Sequence, residues 1–155
     1  HASAFARREE QFALHFIDLN NFKPINDKYG HAAGDVVLRE TAKRLQSILR
    51  ETVTVARLGG DEFVIIQANM RNIKLVLKLA ERLITVISVP IDYARHSLAV
   101  GTSIGIALST GNETEPHQML KQADFAMYKS KRLGKSMATV FEHEDKLALQ
   151  MQLHS

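Results

Sequence analysis

The chain has 155 residues, 45% of them hydrophobic and 24% charged, with a net charge of +3 and no cysteine. That is enough for one domain with a true core, and it excludes disulfides and a Cys-ligated zinc site. The small positive excess mildly favours an anionic ligand and does not indicate a nucleic-acid binder. No apolar run reaches membrane-spanning length, because KLVLKLAERLITVISVPI is interrupted by Lys78, Glu81 and Arg82.

FALHFIDL, from Phe12 to Leu19, is a short apolar run suited to a buried strand. From Asp35 a helix is predicted, with Leu38, Thr41, Ala42, Leu45, Ile48 and Leu49 on one stripe. TVTVARL alternates and EFVIIQ is apolar and β-branched, so with Gly59 and Gly60 between them they predict a hairpin. Ile73, Val76, Leu77, Ala80, Ile84 and Ile87 form a second helical stripe that ends before Pro90. SLAVGTSIGIAL is strand-like, with Gly101 and Gly105 marking a bulge or a close backbone approach. A third helix is expected from Pro116 to Leu133, stopping at Gly134. MATVFE suits a last short strand, and KLALQMQLHS fits a strand or a helix equally.

This order predicts an α+β fold. Its centre is a split βαβ sheet, ferredoxin-like or polymerase-palm-like, with the hairpin carrying the glycine pair and helices flanking it. Palms that polymerise nucleotides share the order with plain binding domains, so function must be read from the site. No aromatic base-stacking pattern stands on the predicted strands, which argues against a nucleic-acid partner.

Gly59-Gly60 supplies positive φ and leaves the backbone bare for a ligand, although a simple tight turn needs no more than that. Asp61 and Glu62 follow directly. Adjacent like charges gain little there unless a cation or water screens them. Asp18 interrupts the apolar run near its end. In a βαββαβ sheet the first strand can end beside the hairpin turn, so Asp18 and Asp61 can converge on one Mg²⁺. The ordinary alternative is that Asp18 caps the turn that follows.

RLGGDEF, with FIDLNNFKPINDKYGHAAGD upstream and ADFAMYKSKRLGKS downstream, resembles the GGDEF family of diguanylate cyclases from about Phe12 to Phe141. The resemblance implies condensation of two GTP into cyclic di-GMP with release of two pyrophosphates. Each domain would hold one GTP and two Mg²⁺ or Mn²⁺ ions, and a homodimer would bring two half-sites together. Position by position, it implies Asp18 and Asp61 as metal carboxylates and the carbonyl of Leu19 as a further ligand. Glu62 would be a ligand or the group that helps deprotonate the 3′-hydroxyl. Gly59 and Gly60 would let the nucleotide lie against the hairpin, and Asn26 and Asp35 would read guanine. The turn of Asn21, Phe22 and Lys23 would meet the phosphates, with Lys131 and Lys135 adding positive charge. Asn26 as a turn residue and Asp35 as a helix cap are the ordinary alternatives.

The sequence departs from the family pattern in four places. Lys135 and Ser136 stand where Arg and Asn are usual, and Asn20 replaces a common Asp. In the family's inhibitory motif, Arg50 is kept but Val53 takes the place of Asp, so product feedback is expected to be weak. The DxLTGLxNR-type segment ahead of the first strand is missing, and the chain opens at His1, as a fragment would. Residues 1–145 are read as the GGDEF domain and 146–155 as a tail leading toward a further domain. The expected partners are GTP, cyclic di-GMP and a second copy of the domain, with a linked sensor or EAL-type domain compatible with the tail. No signal peptide is recognisable, and the domain is expected in the cytoplasm without membrane contact of its own, whether or not its parent is anchored. The alternative reading is a non-catalytic GTP-binding module that controls an attached EAL-type cyclic di-GMP phosphodiesterase.

Overall fold

The structure, a computed structural model, describes residues 11–48, 53–68, 72–109, 115–134 and 136–154. At its centre is β1 (Ala13–Asn20), every residue of which is buried. A strand covered on both faces needs no polar alternation, which is why apolar side chains fall on both of its faces, Leu14 and Phe16 on one and Ala13, Ile17 and Leu19 on the other. Flanking it are β3 (Glu62–Gln67) and β6 (Gly101–Leu108), both antiparallel to it. β2 (Val53–Gly59) pairs with β3 at one edge, and β7 (Met137–Val140) runs parallel to β6 at the other. The sheet order is therefore β2-β3-β1-β6-β7, and its first four members make the split βαβ arrangement that the sequence predicts.

Two layers of helices cover the sheet. On one face α2 (His31–Ile48) and α3 (Ile73–Ile87) bury Val37, Leu38, Leu45, Val76, Ala80, Leu83 and Ile87 against Ile17, Phe63, Ile65, Ile104 and Ile106. On the other, α4 (Pro116–Leu133) buries Met119, Ala123 and Met127 against Leu14, Phe16, Val64 and Ala107. Arg44 of α2 ties the first pair together by donating to the carbonyls of Val86 and Val89 at 3.1 and 2.6 Å. Val86 lies in the last turn of α3, where its carbonyl otherwise takes a long 3.4 Å bond from the Val89 N–H, and Val89 lies just past the helix end.

The structure departs from the expected elements in several places. A helix not foreseen, α1 (Phe22–Tyr29), buries Phe22 and Ile25. Its sequence FKPINDKY is too short and polar to show a repeating stripe, and Pro24 falls in the first turn, where its missing N–H costs nothing. α2 begins at His31 rather than Asp35. The buried stripe of α3 runs through Leu83, while Ile73 and Leu77 are exposed. β4 (Ile91–Tyr93) and β5 (His96–Leu98) form a separate hairpin, turned by Ala94 and Arg95 at φ 45° and 69° without a glycine to announce it. Gly101 and Gly105 make no bulge, because the β1–β6 register runs unbroken, and Gly105 fills the other expected role, a close backbone approach; the irregularity lies between Arg57 and Gly59 of β2. The tail is a helix, α5 (Asp145–His154). Among the described residues no helix is long and apolar enough to cross a membrane.

Candidate nucleotide site

The end of β1 and the tip of the β2–β3 hairpin are stitched together. Asp18 lies opposite Glu62 in the β1–β3 ladder, and the Leu19 N–H donates to the Asp61 carbonyl at 3.1 Å. Gly59 pairs with Glu62, which leaves Gly60 and Asp61 as the turn. Gly59 and Gly60 hold φ of 144° and 52°, which side chains disfavour. A Cβ at either would meet nothing within 4 Å, so the glycines answer to backbone shape and the surface of the turn is open.

Asp18, 5% exposed, lies on the face of β1 that carries Leu14 and Phe16, the face covered by α4. From that helix Lys131 reaches down and forms an ion pair with the Asp18 carboxylate. The helix is held in place in the turns just ahead of this contact. A Cβ on Gly105 would run into backbone atoms of Ala123 and Met127, so β6 and α4 touch main chain to main chain. Next to Lys131, the Ser130 hydroxyl donates to the Ile104 carbonyl at 2.8 Å, which makes Thr139, 2.7 Å away, its donor.

The electrostatics of this corner are those of crowded acids. Burial, and then the charge of Asp18, hold the carboxyls of Asp61, Glu62 and Asp124 above the usual carboxylate range. Asp61 is also within hydrogen-bond reach of Asp18. Burial pulls the Lys131 ammonium down, but the Asp18 hydrogen bond and the charges of Asp18 and Asp61 more than offset it and leave it above its ordinary value. Asp124 was not among the residues singled out from the sequence. Its signal was available in ADFAMYKSK, which places Asp124, Tyr128 and Lys131 on one helical face. Among the described residues, no three His, Cys, Asp or Glu side chains stand close enough to hold a metal ion by themselves.

A cavity of about 320 Å³ opens beside these acids, lined by Leu19, Asn21, Phe22, Lys23, Asp61 and Lys131 among others. It thus joins two of the expected metal residues, Leu19 and Asp61, to the expected phosphate turn. Asn21 opens α1 in the left-handed region at φ 69°. The Phe22 side chain is buried in the core and anchors this turn, while Lys23 is exposed. Asn20 is buried, and its carbonyl oxygen accepts from the Ser103 hydroxyl at 3.1 Å.

Asn26 and Asp35 also come together. Asn26 lies within α1, and a Cβ on Gly34 would collide with its side-chain amide, so the amide packs against α2 one residue before Asp35. Asp35 is exposed and is the fifth residue of α2, too far inside to cap it. The capping and turn roles open to these two in the sequence are not the ones they fill. Lys135 and Arg50 lie outside the described residues; Val53 opens β2 opposite Gln67. A larger cavity, about 500 Å³, lies between α4 and α5, lined by Asp124, Phe125, Tyr128, Arg132 and Leu149 among others.

A palm-like split βαβ sheet with an acidic hairpin at the end of its central strand is the class that fold and site define together. The chain belongs to the GGDEF domain family: residues 1–137 match the family described as "Diguanylate cyclase, GGDEF domain". It is 41% identical over 147 residues to the bifunctional diguanylate cyclase/cyclic di-GMP phosphodiesterase MucR of Pseudomonas aeruginosa, covering 95% of this chain and 21% of that protein. Diguanylate cyclase TpbB of the same species is 40% identical over 146 residues, covering 94% of this chain and 34% of that one. A solved structure comprising only the GGDEF domain of TpbB superposes with a TM-score of 0.86 at 38% identity, covering 96% of this chain and 87% of that one. The chain therefore spans about a fifth to a third of the full-length relatives.

Proposed function

We propose that this chain is a diguanylate cyclase domain, condensing two GTP into cyclic di-GMP and two pyrophosphates across a homodimer of half-sites. One observation carries the reading: Asp18, Asp61 and Lys131 converge beside the open Gly59-Gly60 turn, and one cavity joins Asp61 and Lys131 to Lys23. The donor set fits a hard divalent cation. It offers oxygen alone, its carboxyls are crowded by negative charge, and among the described residues it has no three-residue cage, as suits an ion that shares its ligands with phosphates.

Asp18, Asp61 and the Leu19 carbonyl would hold Mg²⁺ or Mn²⁺, with Glu62 a further ligand or the proton acceptor for the 3′-hydroxyl. Two such ions, when bound, lower the pKa of that hydroxyl and neutralise the leaving pyrophosphate. The remaining work belongs to the chain. Lys23, Lys131, Lys135 and the N–H groups of the turn at Asn21 and Phe22 position the triphosphate. Asp35 accepts from the N1–H and 2-amino group of guanine, and the Asn26 amide both donates and accepts at the purine edge. Adenine presents the wrong pattern there. Since each domain holds one GTP, the two new phosphodiester bonds need a second copy facing the first. The GTP supply places the reaction in the cytoplasm.

The test is to incubate the domain with GTP and Mg²⁺ or Mn²⁺ and to look for cyclic di-GMP by mass. A second reading is favoured by the two activities in the name of MucR, of which this chain covers a fifth. In it, the domain binds GTP without turnover and controls an attached EAL-type phosphodiesterase. GTP binding without product in that assay would select it.

A further inference from the structure

We infer that Lys131 is the resident counter-ion of the acidic site, which excludes free divalent cations and yields Asp18 only to a cation that arrives with a nucleotide's phosphates. The inference rests on the proposed reading of Asp18 as a metal carboxylate.

Asp18 is 5% exposed, too little for water to solvate its charge, so in the folded chain it needs a cationic partner. Lys131 is that partner. Asp61, Glu62 and Asp124 crowd the same spot, each feeling the Asp18 charge, and the ammonium acts back on all three. Among the described residues, no second lysine or arginine forms an ion pair with Asp18. A metal ion on the Asp18 carboxylate and an ammonium on it would be two positive charges a few ångströms apart, so each opposes the other.

The side chain is built to move while its backbone is not. Ser130 and the Gly105 contact fix α4, whereas the Lys131 side chain, 36% exposed, has a flexible stem and a compact charge. Its alternatives are close at hand. The Tyr128 ring lies 5.9 Å from the ammonium, and Lys131 lines the same cavity as Lys23 and the Asn21 turn. Phosphate oxygens in that cavity would take the ammonium from Asp18, so the nucleotide supplies the new partner that a bare ion lacks.

This role has a signature that neither a plain phosphate ligand nor a structural lysine shares. Lys131 should oppose binding of the metal alone and support binding of metal with nucleotide. The experiment titrates Mn²⁺ by electron paramagnetic resonance, with and without a non-reactive α,β-methylene GTP analogue, on the parent chain, Lys131→Gln, Lys131→Arg and Asp18→Asn. Thermal unfolding of each variant checks that it is folded. Lys131→Gln should bind Mn²⁺ alone about 10-fold more tightly and the Mn²⁺–nucleotide complex about 10-fold less tightly, each equivalent to about 1.4 kcal/mol. Lys131→Arg, which keeps the charge, should stay as resistant to Mn²⁺ alone as the parent. Equal affinity of parent and Lys131→Gln for Mn²⁺ alone, with Asp18→Asn abolishing it, overturns the counter-ion role and leaves the metal site standing. Mn²⁺ binding that is absent throughout, or indifferent to Asp18→Asn, overturns the metal site and the counter-ion role with it.

Discussion

The Asp61 carboxyl is held above the usual carboxylate range by burial and by the charge of Asp18, so its ionised form is disfavoured in the folded chain relative to the unfolded one. Asp61→Asn keeps the shape and removes that repulsion. Its melting temperature should equal or exceed the parent's, while turnover should fall by at least about 100-fold, the order expected when one transition-state charge stabiliser is lost. Parental turnover would remove Asp61 from the chemistry. His15 presents the opposite case, a buried base outside the site. Desolvation lowers its pKa from 6.5 to about 4, against a single 2.9 Å hydrogen bond between Nε2 and the Gln67 amide oxygen. The unfolded chain therefore takes up a proton first as pH falls. Stability should drop between pH 6.5 and about 4 and level off for this group below that, by a total of about 3 kcal/mol. Urea unfolding from neutral pH to pH 4.5 should show that slope in the parent but not in His15→Gln; identical slopes would clear His15. Asp18 and Asp61 were legible in the sequence because each breaks an apolar or glycine-rich run where a carboxylate has little structural use. His15 was not legible as a core residue, since a polar side chain within a strand run gives no sign of which surface covers it.

At the scale of elements, α4 is the arm that carries Lys131, and its seat on β6 depends on Gly105. A Cβ there meets backbone atoms of Ala123 and Met127, which cannot rotate away. Gly105→Ala should therefore lift α4, destabilising the chain by about 1–3 kcal/mol, and should lower turnover with it. A variant with parental melting temperature and rate would mean that the contact is slack. The α1–α2 corner sets a different expectation. Because Asp35 lies exposed within α2 and caps nothing, Asp35→Ala should leave stability within about 0.5 kcal/mol of the parent. It should weaken a non-reactive GTP analogue by about 1.5–3 kcal/mol and narrow the preference over ATP, read by calorimetry. Unchanged affinity would take Asp35 out of base recognition. The long elements were legible, α2 and α3 because several turns repeat an apolar stripe and α4 because Pro116 and Gly134 mark its two ends. Eight residues of α1 and three-residue strands repeat nothing, and the β4–β5 turn uses Ala94 and Arg95 where glycine or asparagine would have marked it.

For the whole molecule, the proposed reaction asks one domain with one nucleotide site to close a two-nucleotide ring, which it cannot do alone. Rate per domain at saturating GTP should therefore rise with protein concentration; a rate that stays flat from nanomolar to high micromolar would exclude transient pairing. The strand order was legible through the split βαβ rule. The Asp18–Lys131 contact was not, because it depends on how α4 lies across a sheet whose strands come from distant parts of the chain. That same sheet imposes an order of assembly. β1 leaves the ribosome first, yet it sits between β3 and β6, and Ala13 must wait for Leu108 to complete its ladder. Contacts so remote in sequence make for slow folding, and synthesis takes seconds to supply them. A nascent chain that already carries the GGDEF turn still lacks the strand that seats α4, so the acids cannot meet their lysine until most of the domain has been made. The site is among the last things to form, and an interrupted chain leaves no half-built site behind.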